Sequence, residues 1–398
     1  MPLDRLTRYQ GGPRRWGRDG WPHTTSAVIV TGLTSRQGPG PMPVNQGEQG
    51  VRNMWMRHFA FGVAATAVLA VVPATTGSAQ SVADFYKGKT IDLFVGYSAG
   101  GGYDTYARTI ARHMGKHIPG NPTIVVKNMP GAGSLTAANH IYNAAPKDGT
   151  AFGTVGRGAP FDPLFGNEAA KFDAAKFNHI GSANNEVSVC VAWHTSGIKD
   201  INDLKTKELV VGGTGPSADT DQFPRIVNGV LGTKFKVISG YPGGNDISLA
   251  MERGEVQGRC GWSWSSVLST QKAWYDEKKI NVLVQLSGAK HPDLKNVPLI
   301  TELAETPEQK QILNLVFARQ ALGRPYMAPP GVPADRVAAL RKAFMDTMSD
   351  KEFLADAEKQ KLEISPTSGE EVQKILEDAY KTDKATVEKT TQMLKPPA

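Results

Sequence analysis

The stretch IDLFVGYSAGGGYD, at residues 91–104, sets the fold of this chain. A short strand-like run leads into three consecutive glycines, and apolar residues then recur at helical spacing. A second stretch of the same kind, TIVVKNMPGAGS, occupies residues 123–134 and also precedes a helical pattern. Strands that alternate with helices predict a parallel, doubly wound α/β sheet with both glycine turns at the carboxyl ends of strands.

Glycine turns that lead into helices are suited to holding an anion. Glycine has no Cβ, so its backbone N–H can approach a ligand closely. The first turn of the helix behind it adds free N–H donors and the positive end of the helix dipole. Two such turns predict a site that binds a small carboxylate rather than one that transforms it.

The alternation of strands and helices restarts near residue 187 and predicts a second α/β lobe. Its glycine turns lie at residues 212–217 and 241–246, and Ser217 is predicted to cap the helix that follows the first of them. The ligand is expected in a cleft between the lobes, at the carboxyl ends of the strands.

The net charge of +7 is concentrated at the amino end of the chain. Residues 1–80 carry a net charge of +5, which leaves +2 for all the others. No basic stripe interleaved with aromatic residues follows, so a nucleic-acid partner is not expected.

Residues 54–79 are predicted to be a signal peptide. Met56-Arg57-His58 is a short basic segment, an apolar run of residues 59–72 follows, and small residues lead to a cleavage site after Ala79. The apolar run is shorter than a membrane-spanning helix, which disfavours the alternative of an anchor. Residues 1–53 are rich in Gly, Pro and Arg and are expected to be a disordered or non-native extension, with the true start at Met54 or Met56.

Export places the two cysteines in an oxidising compartment. Cys190 and Cys260 both lie in strand-like runs, so a disulfide between them is possible, and two separate buried thiols are the equal alternative. No metal-binding cysteine spacing is present. His113 and His117 have the spacing of a helical metal pair but lack the glutamate of the zincin pattern, and are expected to face solvent.

The two glycine loops resemble those of the Bug proteins, the periplasmic receptors of tripartite tricarboxylate transporters. The resemblance rests on GGGYDTYAR at residues 100–108 and on VKNMPGAG at residues 126–133. APKDGT at 145–150, YPGG at 241–244 and APPGVP at 328–333 also match the family, and the similarity covers roughly residues 85–395.

The resemblance implies a two-lobed periplasmic binding protein of the type II, Venus-flytrap class. The first lobe is expected at residues 80–187, the second at 188–286, and the return to the first lobe with the C-terminal helices at 287–398. It implies a soluble monomer with no cofactor, which delivers its ligand to membrane permease subunits.

In the family, backbone amides of the two first-lobe loops hold a carboxylate, partly through ordered water, and second-lobe loops select the rest of the ligand. Carried over to this chain, the binding positions are Tyr97, Ser98, Gly101, Gly102, Tyr103, Asp104, Gly131, Ala132, Gly133, Thr214, Ser217, Ala218 and Asp219. Trp262, in an unusually aromatic segment, is a candidate to face the cleft and stack on a flat ligand, and packing in the core of the lobe is the alternative. Asp104 has the alternative role of a first-turn acid that stabilises its helix.

Two other functions remain open. Gly96-Tyr97-Ser98-Ala99-Gly100 matches the nucleophile turn of serine esterases, although it comes too early in the chain and no late histidine follows it. A receptor of this type can also serve a sensor instead of a permease. The sequence does not identify the carboxylate or the cognate permease.

Overall fold

The computed structural model describes residues 80–395, so the predicted extension and signal peptide lie outside the described residues. Strands are β1 Thr90–Val95, β2 Thr123–Asn128, β3 Ala151–Thr154, β4 Asn178–Ser182, β5 Ser188–Trp193, β6 Leu209–Gly212, β7 Phe235–Ile238, β8 Gly258–Ser263, β9 Ile280–Leu286, β10 Pro325–Ala328 and β11 Thr367–Ser368. Helices are α1 Val82–Tyr86, α2 Gly102–Met114, α3 Leu135–Asn143, α4 Asp219–Leu231, α5 Gly244–Glu252, α6 Trp264–Thr270, α7 Lys272–Asp276, α8 Pro307–Phe317, α9 Ala334–Met348, α10 Lys351–Lys359, α11 Gly369–Tyr380 and α12 Lys384–Leu394.

The first lobe is built on a six-stranded sheet in the order β11-β4-β10-β3-β1-β2. Strands β2, β1 and β3 are parallel, as the alternating pattern predicts, whereas β10, β4 and β11 pair antiparallel. The sheet is therefore mixed rather than wholly parallel, because β10 returns from the second lobe and enters the sheet between β3 and β4.

Helices cover both faces of β1 because its side chains alternate between two cores. Ile91 and Leu93 pack with α2, and Phe94 points to the opposite face, where it packs with α3. On α2, the apolar residues Ala107, Ile110 and Met114 are fully buried. This double covering holds the start of α2, and the glycines before it, at the carboxyl end of β1.

The second lobe is built on a five-stranded sheet in the order β7-β6-β8-β5-β9. Strands β6, β7 and β8 are parallel, and β5 is antiparallel to both β8 and β9. Helices α8 and α12 pack together and α12 packs on α4 of this lobe, while α11 packs on β4 of the first. The C-terminal region thus contacts both sheets, and the lobe boundaries at 188 and 287 stay a prediction.

Hydrogen bonds tie helix α2 and the turn after it to α10 and its N-cap residue. His113 Nε2 lies 3.0 Å from an Asp356 oxygen, and His117 Nε2 lies 2.8 Å from an Asp350 oxygen. The expectation that the two histidines face solvent is therefore wrong, since both are partly buried against acids that follow them late in the chain. Within residues 80–395, no helix combines the length and the apolar character needed to cross a membrane.

The structure joins Cys190 on β5 to Cys260 on β8 in a disulfide, and both residues are fully buried. The neighbouring antiparallel strands β5 and β8 bring the two side chains together. Of the two possibilities that the sequence left open, the cysteines therefore form a disulfide and are not separate thiols. The link closes a loop with a sequence separation of 70 residues. In the chain-entropy model such a loop contributes about 4 kcal/mol by restricting the unfolded chain.

Replacing both cysteines with alanine is expected to lower the free energy of unfolding by about 2–4 kcal/mol. Urea unfolding of the oxidised protein and of the C190A/C260A variant measures this difference. Thiol titration of the unfolded, unreduced protein serves as the control and is expected to find no free thiol. Two free thiols there, with equal stabilities of the two proteins, would contradict the pairing.

Candidate functional site

Three helices begin around one cavity between the lobes. The cavity measures about 50 Å³ and is lined by Gly102 at the start of α2, Asp219 at the start of α4 and Gly244 at the start of α5. The N-cap residues of these helices, Gly101, Ala218 and Gly243, make no side-chain capping hydrogen bond. Helices from both lobes therefore begin at the cavity, and their N-cap residues provide no side-chain cap.

Helix ends of this kind attract an anion. The first N–H groups of a helix have no acceptor within the helix, and the aligned peptide dipoles place about half a positive charge there. Helices α2 and α4 have 13 residues each and α5 has nine, long enough for this effect. Because α2 belongs to the first lobe and the others to the second, an anion in the cavity interacts with both lobes at once.

The first glycine loop lies where the sequence predicts, with Tyr97, Gly101, Gly102 and Tyr103 lining the cavity. The Tyr97 and Tyr103 rings stack with centroids 4.8 Å apart. The Tyr103 hydroxyl accepts a hydrogen bond from the Arg157 backbone N–H at 3.1 Å. The bulky phenol thus supports the wall of the cavity while its neighbouring glycines leave room for a ligand.

Asp104 lines no part of the cavity and stabilises the first glycine loop instead. Its carboxylate accepts hydrogen bonds from the Gly100 N–H, the Arg108 guanidinium and the Asn128 amide at 2.8–2.9 Å. Burial raises the pKa of Asp104, but these hydrogen bonds outweigh it and hold that pKa below its ordinary value. These contacts favour the first-turn role over ligand binding for this residue.

Ser98 forms a contact between the lobes rather than with the cavity. Its hydroxyl donates to an Asp246 carboxylate oxygen at 2.6 Å and lies 3.0 Å from the Asn245 side-chain oxygen, both on α5. Its backbone N–H donates to the Pro242 carbonyl at 3.2 Å. Among the described residues no histidine contacts Ser98, so the general base that a serine nucleophile needs is not at hand.

The second glycine loop closes directly on the second lobe. The Gly133 N–H donates to the Thr214 carbonyl at 2.9 Å. A Cβ on Gly215 would come within 2.3 Å of the Gly133 nitrogen, so only glycine permits this approach. Gly131 and Ala132 line an adjoining, more open cavity that shares only Thr214 with the first. The two glycine loops therefore face neighbouring cavities and not a single one.

Of the predicted second-lobe residues, Thr214, Ala218, Asp219 and Trp262 line the central cavity. Ser217 does not line it. The prediction that Ser217 caps α4 is wrong, because the helix begins one residue later, with Ala218 at the N-cap. The buried Ser217 hydroxyl instead accepts a hydrogen bond from Asn167 of the first lobe at 3.2 Å.

Buried arginines that the sequence did not reveal lie in and around the cavity. Arg157 pairs with Asp219 at 2.6 Å, Arg319 lies 3.4 Å from the same carboxylate, and Arg324 lies 3.4 Å from Glu186. Arg157 and Arg324 also both donate to the Ser263 hydroxyl at 3.1 Å. Asp219 and Glu186 thus lie within 3.4 Å of three buried guanidinium groups, and the buried Asp162 also interacts with the charge of Arg319.

Arg259 also lines the cavity, and no described carboxylate pairs with it. Its guanidinium carbon lies 4.6 Å from the centre of the Trp262 ring. Arg259 therefore covers one face of the Trp262 ring, and that face cannot stack on a flat ligand. Trp264 packs away from the cavity, against Tyr275 in the core of the second lobe.

Known proteins share this architecture. No family model matches the chain. It is 25% identical over 346 residues to the "UPF0065 protein in gbd 5'region" of Cupriavidus necator, which covers 84% of this chain and 98% of that protein. The structure of the periplasmic binding protein BugD superposes with a TM-score of 0.62 at 18% identity, covering 74% of this chain and 95% of that one.

The chain has the Bug fold. MatC of Rhodopseudomonas palustris, solved with bound malate, superposes with a TM-score of 0.60 at 18% identity and covers 76% of this chain and 99% of MatC. The resemblance drawn from the glycine loops is confirmed, and so is the two-lobed α/β fold class. At these identities the superpositions establish the fold.

In this Bug fold, Gly102 controls how closely the lobes approach. A Cβ at this position would lie 2.0 Å from the Ser266 hydroxyl of the second lobe. Gly102→Ala is therefore expected to weaken carboxylate binding at least tenfold in calorimetric titration, while the circular dichroism spectrum stays unchanged. A Val at this position is expected to abolish binding. A Val at Gly131, where a Cβ would come within 2.5 Å of the Thr136 hydroxyl, is expected to weaken binding by displacing the second glycine loop, which lines the adjoining cavity.

The double variant G102A/S266G is the matched control, because Ser266→Gly removes the group that the new methyl meets. It is expected to bind more tightly than G102A alone. Wild-type affinity in the Gly102 and Gly131 variants would show that these loops do not hold the ligand.

Proposed function

We propose that this protein is a periplasmic solute-binding protein that captures a small organic carboxylate for a tripartite tricarboxylate-type transporter. The observation that carries the proposal is the convergence of three uncapped helix starts, from both lobes, on one cavity. Buried N–H groups without acceptors cost free energy, and a carboxylate supplies several acceptor sites at once.

Binding couples to closure because the ligand contacts both lobes. An anion that touches α2 on one side and α4 and α5 on the other favours the closed arrangement over any open one. The direct contacts Ser98–Asp246 and Gly133–Thr214 then hold the lobes together around it. The cavity of about 50 Å³ favours a ligand of few atoms, since sites for drug-sized ligands measure roughly 300–1,000 Å³.

No catalytic role is proposed for any residue. The Ser98 hydroxyl is held by acceptors on α5, and the cavity walls include arginines and helix-start amides rather than an acid–base pair. The malate bound by MatC supports a carboxylate ligand in this fold. Export through the signal peptide at 54–79, action as a monomer and transfer to a membrane permease belong to the same proposal.

A thermal-shift screen of protein purified from the periplasm tests the function. Mono-, di-, tri- and aromatic carboxylates are each added, after unfolding and refolding to remove any carried-over ligand. A ligand at about a thousand times its Kd stabilises the folded state by about 4 kcal/mol, which raises the Tm by several degrees. A rise with one class of carboxylate is expected, and amino-terminal sequencing is expected to begin at Gln80.

Ser98→Ala separates this function from an esterase. The variant is expected to respond to the same class of carboxylates with a smaller rise in Tm, since Ser98 does not line the cavity but its contact with Asp246 helps to hold the lobes together. No Tm response to any carboxylate, together with hydrolysis of a simple ester that Ser98→Ala abolishes, would overturn the proposal.

A further inference from the structure

Arg259 is half-buried and, unlike the fully buried arginines of the site, has no acid beside it among the described residues. Arg157, Arg319 and Arg324 each lie within 3.4 Å of a carboxylate oxygen. For Arg259, the hydrogen bond found among the described residues runs from Nη1 to the Gly244 carbonyl at 3.0 Å. Burial lowers the pKa of the Arg259 guanidinium, and the nearby charge of Arg324 lowers it further.

The guanidinium is nevertheless held in one orientation. The Trp262 ring lies against it at 4.6 Å, and Gly244 packs against it so closely that a Cβ there would come within 2.2 Å of Nη2. A guanidinium fixed between an aromatic ring and a glycine loses little freedom when it binds a ligand.

The donors left over have the geometry of a carboxylate site. With Nη1 bonded to Gly244, the free edge of Arg259 consists of Nε and Nη2, and Nε is buried without a partner. An arginine edge with two parallel N–H donors binds both oxygens of a carboxylate. This edge stands beside the start of α5, whose dipole adds to the positive potential.

We propose that Arg259 binds one carboxylate of the ligand directly, and that the start of α2 receives a second one, so the ligand is a small dicarboxylate. The proposal rests on the proposed function and specifies its substrate class. A monocarboxylate held at α2 would leave the half-buried Arg259 guanidinium unpaired and its buried Nε–H without an acceptor, which is unfavourable. Arg259 therefore acts as the residue that selects for the second negative charge.

Calorimetric titration with matched acid pairs tests this role. Succinate is compared with butyrate, malate with 3-hydroxybutyrate, and adipate with hexanoate, so that each pair differs by one carboxylate. The wild-type protein is expected to prefer the diacid of at least one pair by a hundredfold or more. Arg259→Gln is expected to lose at least thirtyfold in diacid affinity and to change monoacid affinity less than threefold.

Three further variants separate recognition from structure. Arg253→Gln removes the same charge from an exposed position near the end of α5 and is expected to leave all affinities unchanged. Arg259→Lys keeps the charge without the two-donor edge and is expected to recover only part of the diacid affinity. Gly244→Ala, which displaces the guanidinium, is expected to weaken diacid binding even if Arg259→Gln does not fold.

The outcomes are distinguishable. Diacid preference that survives in Arg259→Gln or Gly244→Ala, or a wild-type protein that binds both members of every pair equally, would overturn the role of Arg259 and leave the proposed function standing. Failure of the wild-type protein to bind any carboxylate would overturn the proposed function itself. A lower Tm of ligand-free Arg259→Gln without any change in the diacid preference would show that the residue is structural only.

Discussion

The proposed binding depends on three helices that begin at one cavity without side-chain caps at their N-cap residues. A helix start needs acceptors for its first N–H groups, and other helices in this chain, such as α10 and α11, obtain one from Asp350 or Ser368. Helices α2, α4 and α5 have glycine or alanine at the N-cap instead. Their first residues line a cavity between the two lobes, so an acceptor bound there would stabilise the closed arrangement.

The close approach of the lobes has a second requirement, which is the absence of side chains at the contact. Gly102 faces Ser266 and Gly215 faces Gly133 at distances that no Cβ allows. Around these contacts the paired arginines Arg157 and Arg324 fix the walls through a shared serine hydroxyl. The paired charges define the shape of the site. Arg259, which has no acid beside it among the described residues, is available to bind a ligand.

The strands that coincide with a continuous apolar run could be predicted from the sequence. Strand β9 begins and ends where its apolar run does, and β1 was recognisable from an apolar run that stops at glycine. Strand β4, with the sequence NHIGS, and strand β10, with PYMA, were missed. Both are short and carry polar residues or proline, and β10 pairs with strands more than 140 residues earlier, which no local pattern reports.

The sequence likewise predicted some residues of the site and missed others. The first glycine loop and Thr214 reach the cavity as expected, because glycine turns at strand ends have a fixed place in α/β sheets. Arg259 could not be assigned from sequence, since its significance lies in the absence of an acid nearby, and that depends on where Asp219 and Glu186 fold. The sequence left Trp262 open between the cleft and the lobe core; it lines the cavity and also packs in the core, and its packing against Arg259 was not foreseen.

The most direct test of this account is a crystal structure of the protein with the carboxylate that raises its Tm most. The account predicts a carboxylate oxygen within hydrogen-bonding distance of the Gly102 or Tyr103 N–H, and further contacts from the same ligand to the starts of α4 or α5. A ligand bound outside the cleft, with the cavity filled only by water, would contradict the central claim that the uncapped helix starts form the binding site.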